Sequence, residues 1–149
     1  MKVIAVNKKA YFDYFVEERI ECGIVLEGGE VKSIRAGNVS LKESFALLRG
    51  GELWLKNAHI APYDKATAFT KHDSRRDRKL LATRGELNKL AGKVNQKGYT
   101  LMPLQMYFKG SMVKLEIGLC RGKQLHDKRR TIADRESERS AQRAIKEYN

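Results

Sequence analysis

The segment that decides the fold runs from residue 104 to residue 119 and reads LQMYFKGSMVKLEIGL. Leu104, Met106 and Phe108 alternate with other residues in its first half, and the alternation resumes at Val113. A period of two places every second side chain on one face, so each half predicts a half-buried β-strand. The turn residues at 109–111 are few enough to join neighbouring antiparallel strands. The sequence therefore predicts a hairpin here.

Further strand candidates surround this hairpin, and glycine-containing turns separate them. Residues 20–27 are rich in Ile, Val and Leu and end at Gly28-Gly29, which we interpret as a hairpin turn before a second strand over residues 31–35. Residues 44–49 and 52–57 flank Gly50-Gly51 in the same manner. About six short strands with tight turns predict a mainly β fold, in which an antiparallel sheet closes into a small barrel.

One helix is clearly marked upstream of the hairpin, and we expect it to plug or flank the barrel. Thr83 and Glu86 form a capping-box pattern, in which each side chain bonds a backbone amide at the helix start. Gly98 suits a left-handed residue after the helix. The apolar stripe of one helical face lies between them at Leu87, Leu90, Ala91 and Val94.

The charge of the chain indicates a polyanionic partner. The 149 residues carry 30 Lys and Arg against 18 Asp and Glu, a formal net charge of +12. Such an excess favours nucleic acid or an anionic membrane surface. No apolar run approaches the length of a transmembrane helix or a signal peptide. Cys22 and Cys120 form no motif, so we expect buried, reduced thiols in a cytoplasmic protein.

The composition divides the chain into a domain, residues 1–120, and a basic tail, residues 121–149. Large apolar residues are sparse in the tail, so it has little to bury, and we expect it to be disordered in isolation. A helix-spaced stripe could still order it on a partner surface. That stripe consists of Ala141, Ala144, Ile145 and Tyr148.

Two clusters concentrate the positive charge, one in residues 71–84 and one in residues 121–130. Both are rich in arginine, whose planar guanidinium suits phosphate. Neither has the bulky apolar anchors of a membrane-surface helix, so we expect no membrane partner. A solvated loop and a solubilising tail remain the alternative interpretation.

The sequence offers no catalytic constellation, and we predict that the protein is not an enzyme. His59, His72 and His126 are too scattered for a metal site, and no phosphate-binding loop or nucleophile motif is present. We expect no metal and no cofactor. An RNA-processing enzyme with an unrecognised site and a structural rRNA-binding protein remain the rival interpretations.

Three parts of the chain carry a specific resemblance. Residues 7–37 include the string GGEVKSIRAG, the middle contains Arg78-Lys79-Leu80-Leu81, and residues 122–129 read GKQLHDKR. In order and spacing these resemble the SsrA-binding protein family, small protein B of bacterial trans-translation. The likeness covers nearly the whole chain.

The resemblance implies an OB-like barrel of about six strands with one to three flanking helices. It also implies that the protein binds the tRNA-like domain of transfer-messenger RNA and delivers this RNA to stalled ribosomes. The tail would stand in for the missing anticodon arm at the 16S rRNA of the decoding region. Elongation factor Tu would belong to the delivery complex, and the protein would act as a monomer.

The family match, together with the basic clusters, nominates two groups of site residues. The RNA-binding group is Glu21, Lys32, Arg35, Arg75, Arg76, Arg78, Lys79, Leu81 and Thr83. The ribosome-binding group in the tail is Lys123, His126, Asp127, Lys128, Arg129 and Arg130. Glu21 could instead pair with a nearby lysine within the barrel, Thr83 could serve only as a helix cap, and His126 could be a solvated linker residue.

Overall fold

The structure, a computed structural model, describes residues 1–62, 73–96, 98–124, 128–129 and 132. Nine strands and three helices are defined within these ranges. The helices are α1 (Lys8–Asp13), α2 (Gly28–Arg35) and α3 (Arg84–Val94). The strands are β1 (Lys2–Val6), β2 (Tyr14–Ile24), β3 (Val39–Ser40), β4 (Phe45–Arg49), β5 (Glu52–Lys56), β6 (His59–Ile60), β7 (Arg78–Leu81), β8 (Tyr99–Lys109) and β9 (Met112–Gly122).

Six strands close into the predicted antiparallel barrel. The order around the ring is β8, β4, β5, β7, β2 and β9, and the pairing of β9 with β8 completes it. Both predicted hairpins are confirmed: β4–β5, expected from the glycine turn at residues 50–51, and β8–β9, expected from alternation. β1 adds to the free portion of β8, and β3 pairs with β6 in a separate two-stranded ribbon.

The alternation of each strand sends its apolar side chains into the barrel. Leu53 and Leu55 of β5 are fully buried, as are Met106 of β8 and Leu115 of β9. Burial of such a side chain contributes about 1.5–3 kcal/mol, so this shared interior holds the ring together. Cys22 is buried in the same core, while Cys120 packs in a second cluster beneath α1.

Our interpretation of residues 28–35 is wrong, because this segment is helix α2 and not a turn followed by a strand. The backbone amide of Glu27 donates to Oε1 of Glu30 at 2.9 Å, which caps the first turn. Ser33 and Ile34 are buried one turn further along. Gly28-Gly29, shortly before the β-branched Val31, resembles a hairpin turn, but the hydrogen bond between Glu27 and Glu30 stabilises a helix.

The other two helices are fixed by their caps. Asn7 caps α1 by accepting from the amide of Ala10 at 3.2 Å, and its own amide group donates to the carbonyl of Pro103 on β8 at 2.9 Å. The predicted capping box of α3 is present, and Leu90 is buried against the barrel. Gly98, between α3 and β8, has a φ of +91°, which is the left-handed conformation predicted for it.

The predicted domain boundary at residue 120 falls inside β9, which continues to Gly122. Most of the predicted tail, including the stripe from Ala141 to Tyr148, lies outside the described residues. None of the described helices combines the length and apolar character that crossing a membrane requires.

Candidate nucleic-acid interface

The outer surface of β2 and β7 brings together several predicted RNA-binding residues. On β2, Glu21 is exposed while its neighbour Cys22 is buried, so alternate residues face outward. Gly23 pairs with Leu81 of β7, whose side chain is 51% exposed. A Cβ on Gly23 would lie 3.4 Å from Cβ of Leu81, so the glycine lets the leucine lie close against β2. We call residues 21, 23, 79 and 81 the β2–β7 face.

Glu21 is held by donors that reach it from β8. The hydroxyl of Tyr107 donates to Oε2 of Glu21, and Nζ of Lys109 lies 3.3 Å from Oε1. Tyr107 is only 3% exposed, whereas the side chain of Glu21 is 37% exposed. The lysine pairing considered in the sequence is therefore present, and the carboxylate still reaches solvent. It remains available to accept a further hydrogen bond.

The hydrogen bond between these side chains shifts both titrations. Donation from Tyr107 lowers the pKa of Glu21 more than partial burial raises it, and Lys109 adds to the lowering. Burial raises the pKa of Tyr107, and the bond to the Glu21 carboxylate raises it further. At neutral pH the pair is thus a neutral phenol donating to an ionised carboxylate. An ionised Glu21 accepts hydrogen bonds and offers none, which suits amino groups and 2′-hydroxyls of RNA.

The structure does not place Arg78, one of the predicted RNA-binding residues, on the surface, since its side chain is fully buried. Its guanidinium bonds Glu30 of α2 through Nε, at 2.6 Å from Oε2. The remaining donors reach the carbonyls of Ala58 at 2.9 Å and Ser74 at 3.1 Å. Alternation along β7 explains this placement, because Arg78 shares the inward face with Leu80. Arg78 fastens α2 to the barrel.

The other predicted RNA-binding cations of the 71–84 cluster, Arg75, Arg76 and Lys79, have partners within the protein. Arg76 also bonds Glu30, and its side chain is 26% exposed. Arg75 is exposed, and its guanidinium donates to the carbonyl of Asn57 at 3.1 Å. Nζ of Lys79 lies 3.0 Å from Oε1 of Glu52, with both side chains about half exposed. Among the predicted RNA-binding cations of this cluster, Arg75 and Lys79 keep the most exposed side chains.

Thr83 uses its hydroxyl group on the helix. Oγ1 accepts from the amide of Glu86 at 3.2 Å and donates to Oε1 of the same residue at 2.9 Å. The capping alternative is therefore observed, although Thr83 itself is exposed two residues beyond Leu81.

The two predicted cations of α2, Lys32 and Arg35, are both exposed. Arg35 lines a groove with Phe108 and Gly110, next to Lys109.

The described part of the tail begins against α1. The amide of Lys123 donates to the carbonyl of Asp13 at 2.8 Å, and Nζ of Lys123 donates to the carbonyl of Tyr11 at 3.2 Å. Nζ of Lys128 lies 3.1 Å from Oδ1 of Asp13, and Arg129 is exposed. The other predicted tail residues, His126, Asp127 and Arg130, lie outside the described residues.

Sequence reasoning missed the residues that position the two glutamates. Tyr107 and Lys109 belong to a hairpin that was predicted, but only the barrel's register carries them across β9 to Glu21. Glu30 was not among the predicted site residues. The available signal for its role was its position, directly after Gly28-Gly29 and three residues after Glu27, where a glutamate can cap a helix.

In the part of the chain that the structure describes, no group of His, Cys, Asp and Glu side chains could hold a metal ion.

Comparison with known proteins gives one consistent result. The model of the family described as SmpB protein matches residues 4–147. An SsrA-binding protein of Synechocystis sp. is 56% identical over 146 residues, covering 98% of this chain and 95% of that protein. An SsrA-binding protein of Caldicellulosiruptor bescii is 53% identical over 148 residues, covering 99% and 93%.

A solved structure gives the same match in three dimensions. It is described as "tmRNA-SmpB: a journey to the center of the bacterial ribosome", and its matching chain superposes with a TM-score of 0.67 at 49% sequence identity. The match covers 80% of this chain and 84% of the other. Sequence and fold are therefore similar to the same group of proteins.

Proposed function

Because this chain belongs to the SmpB family of SsrA-binding proteins, we propose that it binds transfer-messenger RNA and brings it to stalled ribosomes for trans-translation. The observation that carries the proposal is the β2–β7 face on the barrel of a chain with a net charge of +12. There an ionised carboxylate and an exposed leucine lie among lysines. The protein acts by binding, with no covalent step.

The barrel supplies the contacts to the tRNA-like domain of the RNA. Helical RNA offers little readable sequence in its deep groove, so proteins recognise its shape, its backbone and its unpaired nucleotides. Arg75 and Lys79 are placed to contact phosphates, and Lys32 and Arg35 extend the positive surface on α2. Glu21 accepts from a base amino group or a 2′-hydroxyl beside Leu81. These assignments rest on exposure and on position in the fold.

The tail supplies the second function, which is to replace the missing anticodon arm. Lys123 docks the start of the tail on α1, so the chain leaves the barrel at a fixed point. The 26 residues from 124 to 149 span about 86 Å when extended and about 39 Å as a helix, enough to enter the decoding region. His126, Asp127, Arg129 and Arg130 would contact 16S rRNA there.

We infer the remaining partners from this role. Elongation factor Tu belongs to the delivery complex because the RNA enters the ribosome as an aminoacyl-tRNA does. The protein acts as a monomer in the cytoplasm, where ribosomes work. One barrel with one tail provides both surfaces that the mechanism requires.

The experiment that tests the proposal separates binding from rescue. RNA that co-purifies with the full-length protein is sequenced, and transfer-messenger RNA is the expected species. A chain ending at Gln124 keeps β9 and the docking of Lys123 intact, so it should fold and bind this RNA nearly as well as the full chain. Tagging on ribosomes stalled at a message without a stop codon should be abolished.

A second variant locates the effect within the tail. Replacing Asp127, Lys128 and Arg129 together with alanine should preserve RNA affinity and lower tagging. Full tagging by the chain ending at Gln124 would contradict the division of roles and favour a plain RNA chaperone. Recovery of ribosomal RNA alone would favour a structural rRNA-binding protein.

A further inference from the structure

Trp54, the only tryptophan of the chain, lies on the outer surface of the barrel. Its neighbours along β5, Leu53 and Leu55, are fully buried, whereas Trp54 is partly exposed. Because side chains alternate across a strand, the indole projects away from the barrel interior. The largest aromatic side chain of the protein is thus on a surface that the core does not use.

Arg49 and Lys79 place positive charge beside this indole. The guanidinium carbon of Arg49, at the end of β4, lies 5.3 Å from the centroid of the Trp54 ring. On the other side, Trp54 is the cross-strand partner of Lys79 on β7. A guanidinium over an aromatic face is a cation–π contact, which holds both planar groups in position.

The indole is continuous with the β2–β7 face. Its partner Lys79 belongs to that face, and the carbonyl of Lys79 accepts from the amide of Val25, the residue after β2, at 2.9 Å. Val25 is 46% exposed and follows Gly23 on the same outward side. A strip of apolar surface therefore runs from Trp54 past Lys79 to Val25 and Leu81, with Glu21 at its far end.

We propose that Arg49 and Trp54 form a stacking site for an unpaired base of the bound RNA, an inference that rests on the proposed function. Aromatic rings and guanidinium planes both stack on nucleobases. Arg49 and Lys79 can contact the phosphates on either side of the stacked nucleotide. A paired base within a helix does not expose its face, so the ligand is a loop or bulged nucleotide.

The single tryptophan makes the site directly observable. The tRNA-like domain of transfer-messenger RNA, labelled with a fluorophore, is titrated with the full-length protein, and its anisotropy reports binding. In parallel, Trp54 emission is followed with unlabelled RNA. We expect quenching that saturates at the same protein-to-RNA ratio, together with protection of Trp54 from acrylamide.

The two signals distinguish failure of this inference from failure of the proposed function. Binding by anisotropy without a change in Trp54 emission or acrylamide access would overturn the stacking site and leave the proposed function intact. Absence of binding by anisotropy would overturn the proposed function, and the stacking site with it.

Variants then measure the contribution of the stack. Trp54→Ala should weaken RNA binding about tenfold or more, the range found for loss of one stacked base, and Trp54→Phe should retain most of the affinity. Arg49→Ala should also weaken binding. Phe15→Ala is the matched control, since it removes an arginine–aromatic pair on β2, with Arg121 at 5.1 Å, and leaves Trp54 on β5 unchanged.

Thermal denaturation of each variant confirms that the affinities compare folded proteins. Wild-type affinity in Trp54→Ala, or an equal loss in Phe15→Ala, would overturn the assignment. If Trp54→Ala does not fold, the Arg49→Ala affinity and the emission of the wild-type protein decide the question.

Discussion

Glu21 and Glu30 are both acidic residues on a basic protein, and each is held by donor side chains, yet they do different things. Glu30 is fully buried and binds Arg76 and Arg78, whereas Glu21 keeps over a third of its side chain in solvent. The first carboxylate fastens α2 to the barrel. The second is held in place by Tyr107 but still faces outward. The degree of burial, and not the local density of charge, therefore distinguishes a charged residue that holds the fold together from one that can contact RNA.

The pKa of Glu30 illustrates the strength of the buried contact. Desolvation alone would raise it, but the hydrogen bonds from Arg76, the Glu27 backbone and Arg78 outweigh this effect and lower it. The carboxylate is therefore ionised in the folded protein at neutral pH. Removing one partner of such a pair leaves an uncompensated charge in the interior.

The largest effect is expected from breaking the buried pair. Arg78→Ala should lower the free energy of unfolding by about 3–5 kcal/mol, since it strands the Glu30 carboxylate and the carbonyls of Ala58 and Ser74. Urea denaturation measures this loss. Lys79→Ala is the matched control on the same strand, because its half-exposed pair with Glu52 contributes about 1 kcal/mol or less. An Arg78→Ala protein of unchanged stability but lower RNA affinity would reverse our assignment.

The second effect concerns the cations that face outward. Replacing Arg75 and Lys79 with glutamate should weaken RNA binding and lower the slope of log affinity against log salt concentration by about 2, one for each lost phosphate contact. Arg78 is left intact, so the fold is preserved. Filter binding at several salt concentrations provides both quantities.

A charge-matched control is available elsewhere on the surface. Lys8 and Lys42 line a groove between β1 and β3, so their double replacement by glutamate changes the net charge equally. The control should reduce affinity less and leave the salt slope nearly unchanged. Equal slopes in the two double variants would mean that RNA responds only to total charge.

The sequence was sufficient for the barrel because its strands show clear alternation. The hairpins β4–β5 and β8–β9 and the capped helix α3 each carry local signals, and all three are confirmed. The segment from Gly28 to Arg35 carries two conflicting local signals, glycines that suggest a turn and a glutamate pair that caps a helix. The segment is buried against the barrel, and this tertiary contact leaves no signal in the local sequence.

The residues of the candidate site were less predictable than the barrel, because their partners are set by tertiary contacts that the local sequence does not show. A run of arginines in residues 75–78 looks like one basic surface, but alternation along β7 turns Arg78 inward, and Glu30 then claims both Arg76 and Arg78. Glu30 lies 46 residues from Arg76 along the chain. Such a long-range pairing has no signature in either segment alone.

The third effect is expected from removing the charge of the exposed carboxylate. Glu21→Gln keeps an oxygen that can accept from the Tyr107 hydroxyl, so the melting temperature should change little. RNA affinity should fall, because an amide cannot accept through both of its polar atoms. Glu21→Ala is less informative, since it leaves the buried Tyr107 hydroxyl without its acceptor. Unchanged affinity in Glu21→Gln would make Glu21 a structural counterpart of Glu30.

The smallest effect is a shift in pH dependence, and it tests how Tyr107 acts. Around Glu21 the facing groups are Tyr107 and Lys109 of β8 and Lys114 and Glu116 of β9. Donation from Tyr107 is the main cause of the lowered pKa of Glu21, so Tyr107→Phe should raise that pKa. RNA binding that needs the ionised carboxylate is present above this pKa and is lost as the pH falls through it. The acid limb of affinity should therefore move to higher pH in the variant.

The matched control for this shift is Tyr11→Phe, which removes a hydroxyl that accepts from Arg19 at 3.3 Å and does not contact Glu21. Its acid limb should coincide with that of the wild-type protein. In a Glu21→Gln background the shift caused by Tyr107→Phe should vanish, because no carboxylate remains to titrate. If Tyr107→Phe instead lowers affinity equally at every pH, Tyr107 has only a structural role in the barrel. The ionisation of Glu21 then does not depend on Tyr107.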